Sequence, residues 1–262
     1  MGLDDDTALR QVGESIYEGH VEEGWWTPRG PLGGYVTAIV LRGLTISVAA
    51  GERPVRALTT YFLRPPEAGP ITVRPAIERA GRSLTMASAR LEQDGRLVAL
   101  ALAAFSAPWE GPCLAEAPMP EVEPPEGRPV PAAGMGPPFM KRLTMQERFG
   151  EPPFTRAKRS EVGGWLGLAE ERPIDALAVA VLADAWFPAP WPRLAELAPA
   201  PTIELTVLFR APLPLDDSLL LGRYSTRLVR DGFFEEDGDL WAPDGTLVAQ
   251  SRQLALLIGA SA

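Results

Sequence analysis

One pattern occurs twice in this chain, and the duplication constrains its fold more than any other feature. The stretch "TTYFLRPPEAGP" runs from Thr59 to Pro70 and "LTVLFRAPLP" from Leu205 to Pro214, each an apolar run closed by an arginine and a proline. Further along, "EQDGRLVALALAAF" and "APDGTLVAQSRQLALL" share D-G-x-L-V-A. Asp-Gly between strand-like runs signals a tight hairpin, because both residues tolerate positive φ. The separation is 146 residues between Arg64 and Arg210 and 150 between Asp94 and Asp244. An altered loop between strands would produce that drift.

Each half also places a helix ahead of its strand. "GGYVTAIVLRGLTISVA" sets Val36, Ile39, Val40 and Leu44 at helical spacing. In the second half Ile174, Leu177, Ala178, Val181, Leu182 and Ala185 form the stripe, with Pro173 suited to the first turn and Pro188 a stop. Between the halves, 12 of the 28 prolines lie from Pro108 to Pro153, where lost backbone donors oppose regular structure. The expected organisation is a repeat over residues 1–110, a Pro-rich linker over 111–137 and a second repeat over 138–262. A helix followed by antiparallel strands must bury its stripe on their sheet, which is an α+β unit. Two such units side by side hide two sheet edges by joining them.

Composition narrows the function. A net charge of −9 on 262 residues disfavours a general phosphate-backbone binder, which needs clustered Lys and Arg. Cys113 is the only cysteine, so no disulfide framework is possible and a reducing compartment fits; its Pro-rich setting suits an incidental linker residue. The opening "MGLDDDTALRQV" is acidic where an export signal is basic, and no apolar run approaches a membrane span. A cytoplasmic protein is expected. One His and one Cys cannot supply a zinc site, so no metal is expected, and the phosphate-cradling glycine motifs of nucleotide cofactors are missing. A Ser-His-Asp triad would have to use His20, and no G-x-S-x-G elbow is present. His20 fits a surface position or the substrate entrance. The acidic run from Glu235 to Asp239 is most simply a solvated hairpin tip.

Three polar residues of the second half lack counterparts in the first. Asp184, in "LAVAVLADAWFP", flanks the apolar stripe in the last turn, where the helix dipole disfavours negative charge. It is either a solvated aspartate or a carboxylate kept because chemistry needs it, its pKa raised by partial burial toward a general base's range. Thr202 opens the strand "TIELTVLFRAP" where an offset of 146 gives Arg56 in the first half. Period-2 spacing puts Thr206 on the same face. Gln253 follows the second Asp-Gly hairpin where the first half has Ala103, and Gln250 competes for its role. A threonine entering a strand and a surface glutamine are the ordinary alternatives.

Together these residues resemble the type II acyl-CoA thioesterase family. The shared features are a helix ending in aspartate, a Thr-Ile strand running into Arg-Pro, and a D-G-x-L-V-A hairpin whose returning strand carries a glutamine. That resemblance implies a double hotdog, in which two tandem helix-wrapped antiparallel sheets join into one continuous sheet. It further implies hydrolysis of acyl-CoA thioesters to free acid and CoA, without a cofactor, by a water held and activated by Asp184, Thr202 and Gln253. Association into a homodimer or larger homo-oligomer, and a place in fatty acid metabolism, are implied in the same way. Glu204 and Leu205 depart from the polar pair the family often has there. Gly33 and Gly34 open the first helix and could offer free N–H groups to polarise the thioester carbonyl, or could simply permit close packing. Arg29 and Arg64 are candidates for the phosphates of CoA. The alternative function is a non-catalytic acyl-CoA or lipid-binding protein on the same scaffold.

Overall fold

The structure is a computed structural model that describes residues 2–49, 53–127 and 136–259. The first half comprises α1 (Leu3–Asp6), β1 (Arg10–Gly13), β2 (Ile16–Val21), β3 (Trp26–Thr27), β4 (Gly30–Pro31), α2 (Gly33–Val48), β5 (Val55–Phe62), β6 (Gly69–Ala80), β7 (Leu84–Gln93) and β8 (Arg96–Ser106). The second comprises β9 (Leu143–Phe149), β10 (Glu161–Leu168), α3 (Ala176–Leu182), β11 (Thr202–Phe209), β12 (Leu220–Ser225), β13 (Val229–Arg230), β14 (Phe233–Trp241) and β15 (Leu247–Leu256). Thirteen strands form one antiparallel sheet in the order β1-β2-β6-β7-β8-β5-β11-β15-β14-β12-β10-β9, with β13 beside β14; β3 and β4 make a separate ribbon. The expected architecture, a double hotdog with one continuous sheet, is what forms.

The halves join where β5 pairs antiparallel with β11, Thr59 opposite Thr206, Thr60 opposite Leu205 and Leu58 opposite Val207. The hydroxyls of Thr59 and Thr206 are 2.8 Å apart. This register corrects the expected offset. Leu63 and Arg64 donate their N–H groups to Val98, while Arg210 and Ala211 donate theirs to Val248. Leu63 is therefore the counterpart of Arg210, and the strands superpose at 147 residues rather than 146. Leu58 then matches Leu205, Phe62 matches Phe209, and Thr59 pairs with its own counterpart on a pseudo-twofold axis. Arg64 has no counterpart arginine, and Thr202 matches Val55 rather than Arg56.

Helix α2 forms as expected and is buried on every side from Gly34 to Leu41, as a helix wrapped by sheet must be. Helix α3 is shorter than its apolar stripe. Ile174 exchanges both backbone hydrogen bonds with Leu215, and Asp175 caps the helix by accepting from the Ala178 N–H at 2.9 Å. Pro173 thus lies outside the first turn, and the helix stops well before Pro188. The first Asp-Gly hairpin has both residues at positive φ, 50° and 69°. The second is a wider turn: the Gly245 N–H bonds the Ala242 carbonyl, and only Gly245 has positive φ, at 90°.

Residues 107–127 have no regular structure, yet they are held against the second half. The indole N–H groups of Trp165 and Trp241 donate to the carbonyls of Glu123 and Ala117 at 2.9 and 3.0 Å. Met119 and Val122 pack on a cluster of Trp165, Leu219, Leu221 and Trp241. Cys113 lies exposed in this segment. Among the described residues, no helix is long and apolar enough to cross a membrane.

Candidate active site

Helix α2 begins without a side-chain cap, since Leu32 occupies the N-cap position. Its first N–H groups need an acceptor, and the other repeat supplies one. Asp184, two residues past α3, accepts the Gly34 N–H through Oδ2 at 2.8 Å. Burial pushes its carboxyl up from 3.8 to about 6, while the N–H groups of Gly34 and Gly33 pull it partly back. Aspartate at a helix N-terminus also faces the favourable end of the dipole. The contact demands glycine: a Cβ on Gly33 would sit 2.9 Å from Asp184 Oδ2 and 3.2 Å from the Phe62 ring. One on Gly34 would sit 2.7 and 2.8 Å from the carbonyls of Ala180 and Val181, where α2 crosses α3. The notion of Gly33 and Gly34 as free donors to a substrate carbonyl is therefore corrected. The Gly34 N–H is committed to Asp184, and Gly33 faces the same carboxylate.

A second polar group forms on the neighbouring strands. The Thr202 hydroxyl donates to Gln253 Oε1 at 2.7 Å. Gln253 Nε2 donates to Glu236 Oε1 at 2.6 Å. Glu236 Oε2 accepts the Ala189 N–H at 2.6 Å. Glu236 and Gln253 are direct cross-strand partners on β14 and β15, and both are buried.

Thr202 reaches this group through a bulge. Glu204 pairs with Leu254 but Thr202 pairs with Ala255, so Ile203 is an extra residue. A single inserted residue moves every side chain before it to the opposite face. Thr202 thus turns inward beside Gln253, whereas Thr206 faces Thr59 on the other side of the sheet. The shared face expected for Thr202 and Thr206 is corrected accordingly. Gln250 is committed elsewhere, donating to Asp239 Oδ1 at 3.1 Å.

Asp184 connects to this group by charge. Glu236 is raised to about 7 by burial first, opposed by the Ala189 and Gln253 hydrogen bonds and reinforced by the negative charges of Asp184 and Asp237. Tyr224 feels both carboxylates; burial and their charges raise its phenol well above 10.0, and its hydroxyl donates to the Leu182 carbonyl at 2.6 Å. Glu236 was hidden in the run read as a solvated hairpin tip. That run is instead strand β14, in which Phe234, Glu236, Gly238 and Leu240 point inward. The same period-2 alternation was the signal that could have found it.

Other candidates lie at the surface. Arg29 and Arg64 are exposed, on neighbouring segments: a Cβ on Gly30 would approach the Pro65 Cβ to 2.9 Å. His20 is exposed, with Nδ1 3.0 Å from Glu22 Oε1. A cleft of about 280 Å³ is lined by residues including Trp25, Lys141, Arg142 and Glu170, none of them from the Asp184 site. Among the described residues, no three His, Cys, Asp or Glu side chains are grouped to hold a metal ion.

A duplicated antiparallel sheet wrapped around its helices is a double hotdog. Residues 116–257 match the acyl-CoA thioesterase C-terminal domain and residues 22–106 the N-terminal domain; the chain belongs to that family. An uncharacterised protein of Mycobacterium tuberculosis H37Rv is 27% identical, covering 92% of this chain and 91% of its own. A hot dog protein of unknown function from Alicyclobacillus acidocaldarius superposes with a TM-score of 0.88 at 28% identity, covering 99% of this chain and 98% of its own. The acyl-CoA thioesterase II TesB2 of Mycobacterium marinum shares the fold, with a TM-score of 0.79 at 20% identity over 98% of both chains.

Proposed function

We propose that this chain hydrolyses acyl-CoA thioesters to a free acid and CoA by direct attack of water. Asp184 is the general base, and Thr202 and Gln253 hold the water. The observation that carries this reading is the Thr202–Gln253–Glu236 chain of hydrogen bonds on the inner face of the sheet, with Asp184 close enough to Glu236 to raise its pKa. A half-buried carboxylate raised to about 6 lies within electrostatic reach of Glu236, which holds the amide whose oxygen is already bound by the Thr202 hydroxyl. Because Thr202 donates its proton to Gln253, its oxygen lone pairs are free to accept from water. One Gln253 Nε2–H remains to donate. Asp184 then takes the proton as the water oxygen bonds the thioester carbon, and as the tetrahedral intermediate collapses the C–S bond breaks and that proton passes to the departing sulfur, releasing CoA as the thiol and restoring the carboxylate. A thioester is activated enough for such a base, which contributes roughly 10²–10⁴-fold.

Arg29 and Arg64 are assigned to the CoA phosphates, in keeping with their exposure on neighbouring segments. Thiol release should be measured across short, medium, long and aromatic acyl-CoAs. The hydrolase reading expects turnover with at least one series; binding without any release would make the chain an acyl-CoA carrier. Arg29→Ala and Arg64→Ala should raise KM for acyl-CoA in a salt-dependent way and leave the matching acyl-pantetheine unaffected. An equal rise with both substrates refutes the phosphate assignment.

A further inference from the structure

We infer that Glu236 is a positioning residue of this site, locking the Gln253 side-chain amide in the one orientation that aims its second N–H at the reacting water; this rests on the hydrolase reading above. The geometry carries the inference. Gln253 has two ends that an unaided side chain could exchange by a half-turn. Its oxygen receives the Thr202 hydroxyl at 2.7 Å and its nitrogen gives one hydrogen to Glu236 at 2.6 Å. Flipping the amide would set its oxygen against the carboxylate, an acceptor against an acceptor. Glu236 is itself fixed, because its other oxygen takes the Ala189 N–H in the connection that follows Asp184. Both its oxygens accept, so the ionised form is the one its partners satisfy.

A buried carboxylate with no basic partner among these contacts is costly to keep, and a strand needs none at this place. The groups facing Glu236 are Asp184 after α3, Asp237 on its own strand, Tyr224 on β12 and the uncharged Gln253 on β15. Protonating Glu236 would turn one acceptor into a donor facing a donor and release the Gln253 amide. Burial raises Glu236 as it raises Asp184, so both carboxyls take up a proton within the acid limb. The acid limb of kcat/KM should therefore lose activity with two protons rather than one.

Glu236→Gln and the exchanged pair Glu236→Gln/Gln253→Glu test this, each assayed for thiol release from the best acyl-CoA, for melting temperature and for the kcat/KM pH profile. The single variant leaves one donor facing a donor. Its kcat should fall about tenfold to a hundredfold with KM within about threefold, and its acid limb should drop to one proton. The exchanged pair satisfies every hydrogen bond again, since a glutamate at 253 accepts from Thr202 and from the new glutamine. It should recover the melting temperature but not the turnover, having no second N–H at position 253.

A wild-type kcat and an unchanged acid limb in Glu236→Gln overturn the inference. So does recovery of turnover by the exchanged pair, which would mark Glu236 as merely structural. If the wild-type protein releases no thiol from any series, the hydrolase reading falls and takes this inference with it.

Discussion

Replacing Asp184 with asparagine should make the protein more stable and nearly inactive, and the size of the first effect follows from the site. Asparagine stands in for the neutral acid: same shape, an oxygen that still accepts the Gly34 N–H, no charge. The carboxyl's pKa is raised in the folded state, from 3.8 to about 6, so folding favours the protonated form. The sign follows from linkage. Below about pH 4 the group is neutral folded and unfolded, and wild type bears no penalty. As pH rises toward 6 the unfolded chain ionises first, and stability is lost across that window. Above about pH 7 both states are ionised and the loss is complete, at about 3 kcal/mol for a shift of this size. An asparagine N–H left unpaired takes back part of this, leaving a gain of about 2 kcal/mol at pH 8. Urea unfolding at pH 4 and pH 8 measures it: the variant should lie slightly below wild type at pH 4, where the unpaired N–H outweighs the small charge penalty, and about 2 kcal/mol above it at pH 8. Thiol release at pH 8 should fall at least a hundredfold in the variant. A variant equally destabilised at both pH values would refute the idea that the fold tolerates a costly charge for the sake of chemistry.

Two further outcomes follow from the same geometry. Thr202→Val strands the Gln253 oxygen inside the sheet and should lower kcat by roughly tenfold to a hundredfold and stability by about 1–2 kcal/mol, whereas Thr202→Ser should retain most of both. Equal kinetics in the two variants would remove Thr202 from the water site. Gly34→Ala sets a Cβ 2.7 Å from the Ala180 carbonyl, so the two helices must part and α2 loses Asp184 as its cap. A loss of about 1–3 kcal/mol in chemical denaturation is expected, with a fall in kcat; unchanged values for both would mean that α2 and α3 separate freely.

The fold was legible because its signals are local and repeated. Apolar periodicity marks α2, Asp-Gly marks the β7–β8 hairpin, and the proline cluster separates two copies of one unit. The site was half legible: Asp184, Thr202 and Gln253 stand out as polar residues on one copy only. What escaped was set by contacts distant in sequence. The stripe from Ile174 to Ala185 has the right period, but whether Ile174 begins a helix depends on its pairing with Leu215. The arginine-proline match at Arg64 and Arg210 drew the alignment one residue out of register. Only the bonds to Val98 and Val248 set it right.

The bulge at Ile203 carries no signature in the sequence, and it reverses the face of Thr202. Period-2 reasoning works from Glu204 to Phe209 and fails just before it, at the candidate site residue Thr202. Its counterpart in the first half is also bulged, between Val55 and Ala57, where Val55 replaces the hydroxyl. The bulge therefore belongs to the duplicated scaffold rather than to the second copy alone. What distinguishes the copies is three side chains placed on backbone geometry that both possess: Thr202 against Val55, Gln253 against Ala103, and a carboxylate at 184 reaching across the pseudo-twofold axis to the other copy's helix. The first repeat is thus a structural part of the site, since Asp184 is held by its α2 N-terminus, and neither half separated from the other would present the complete arrangement.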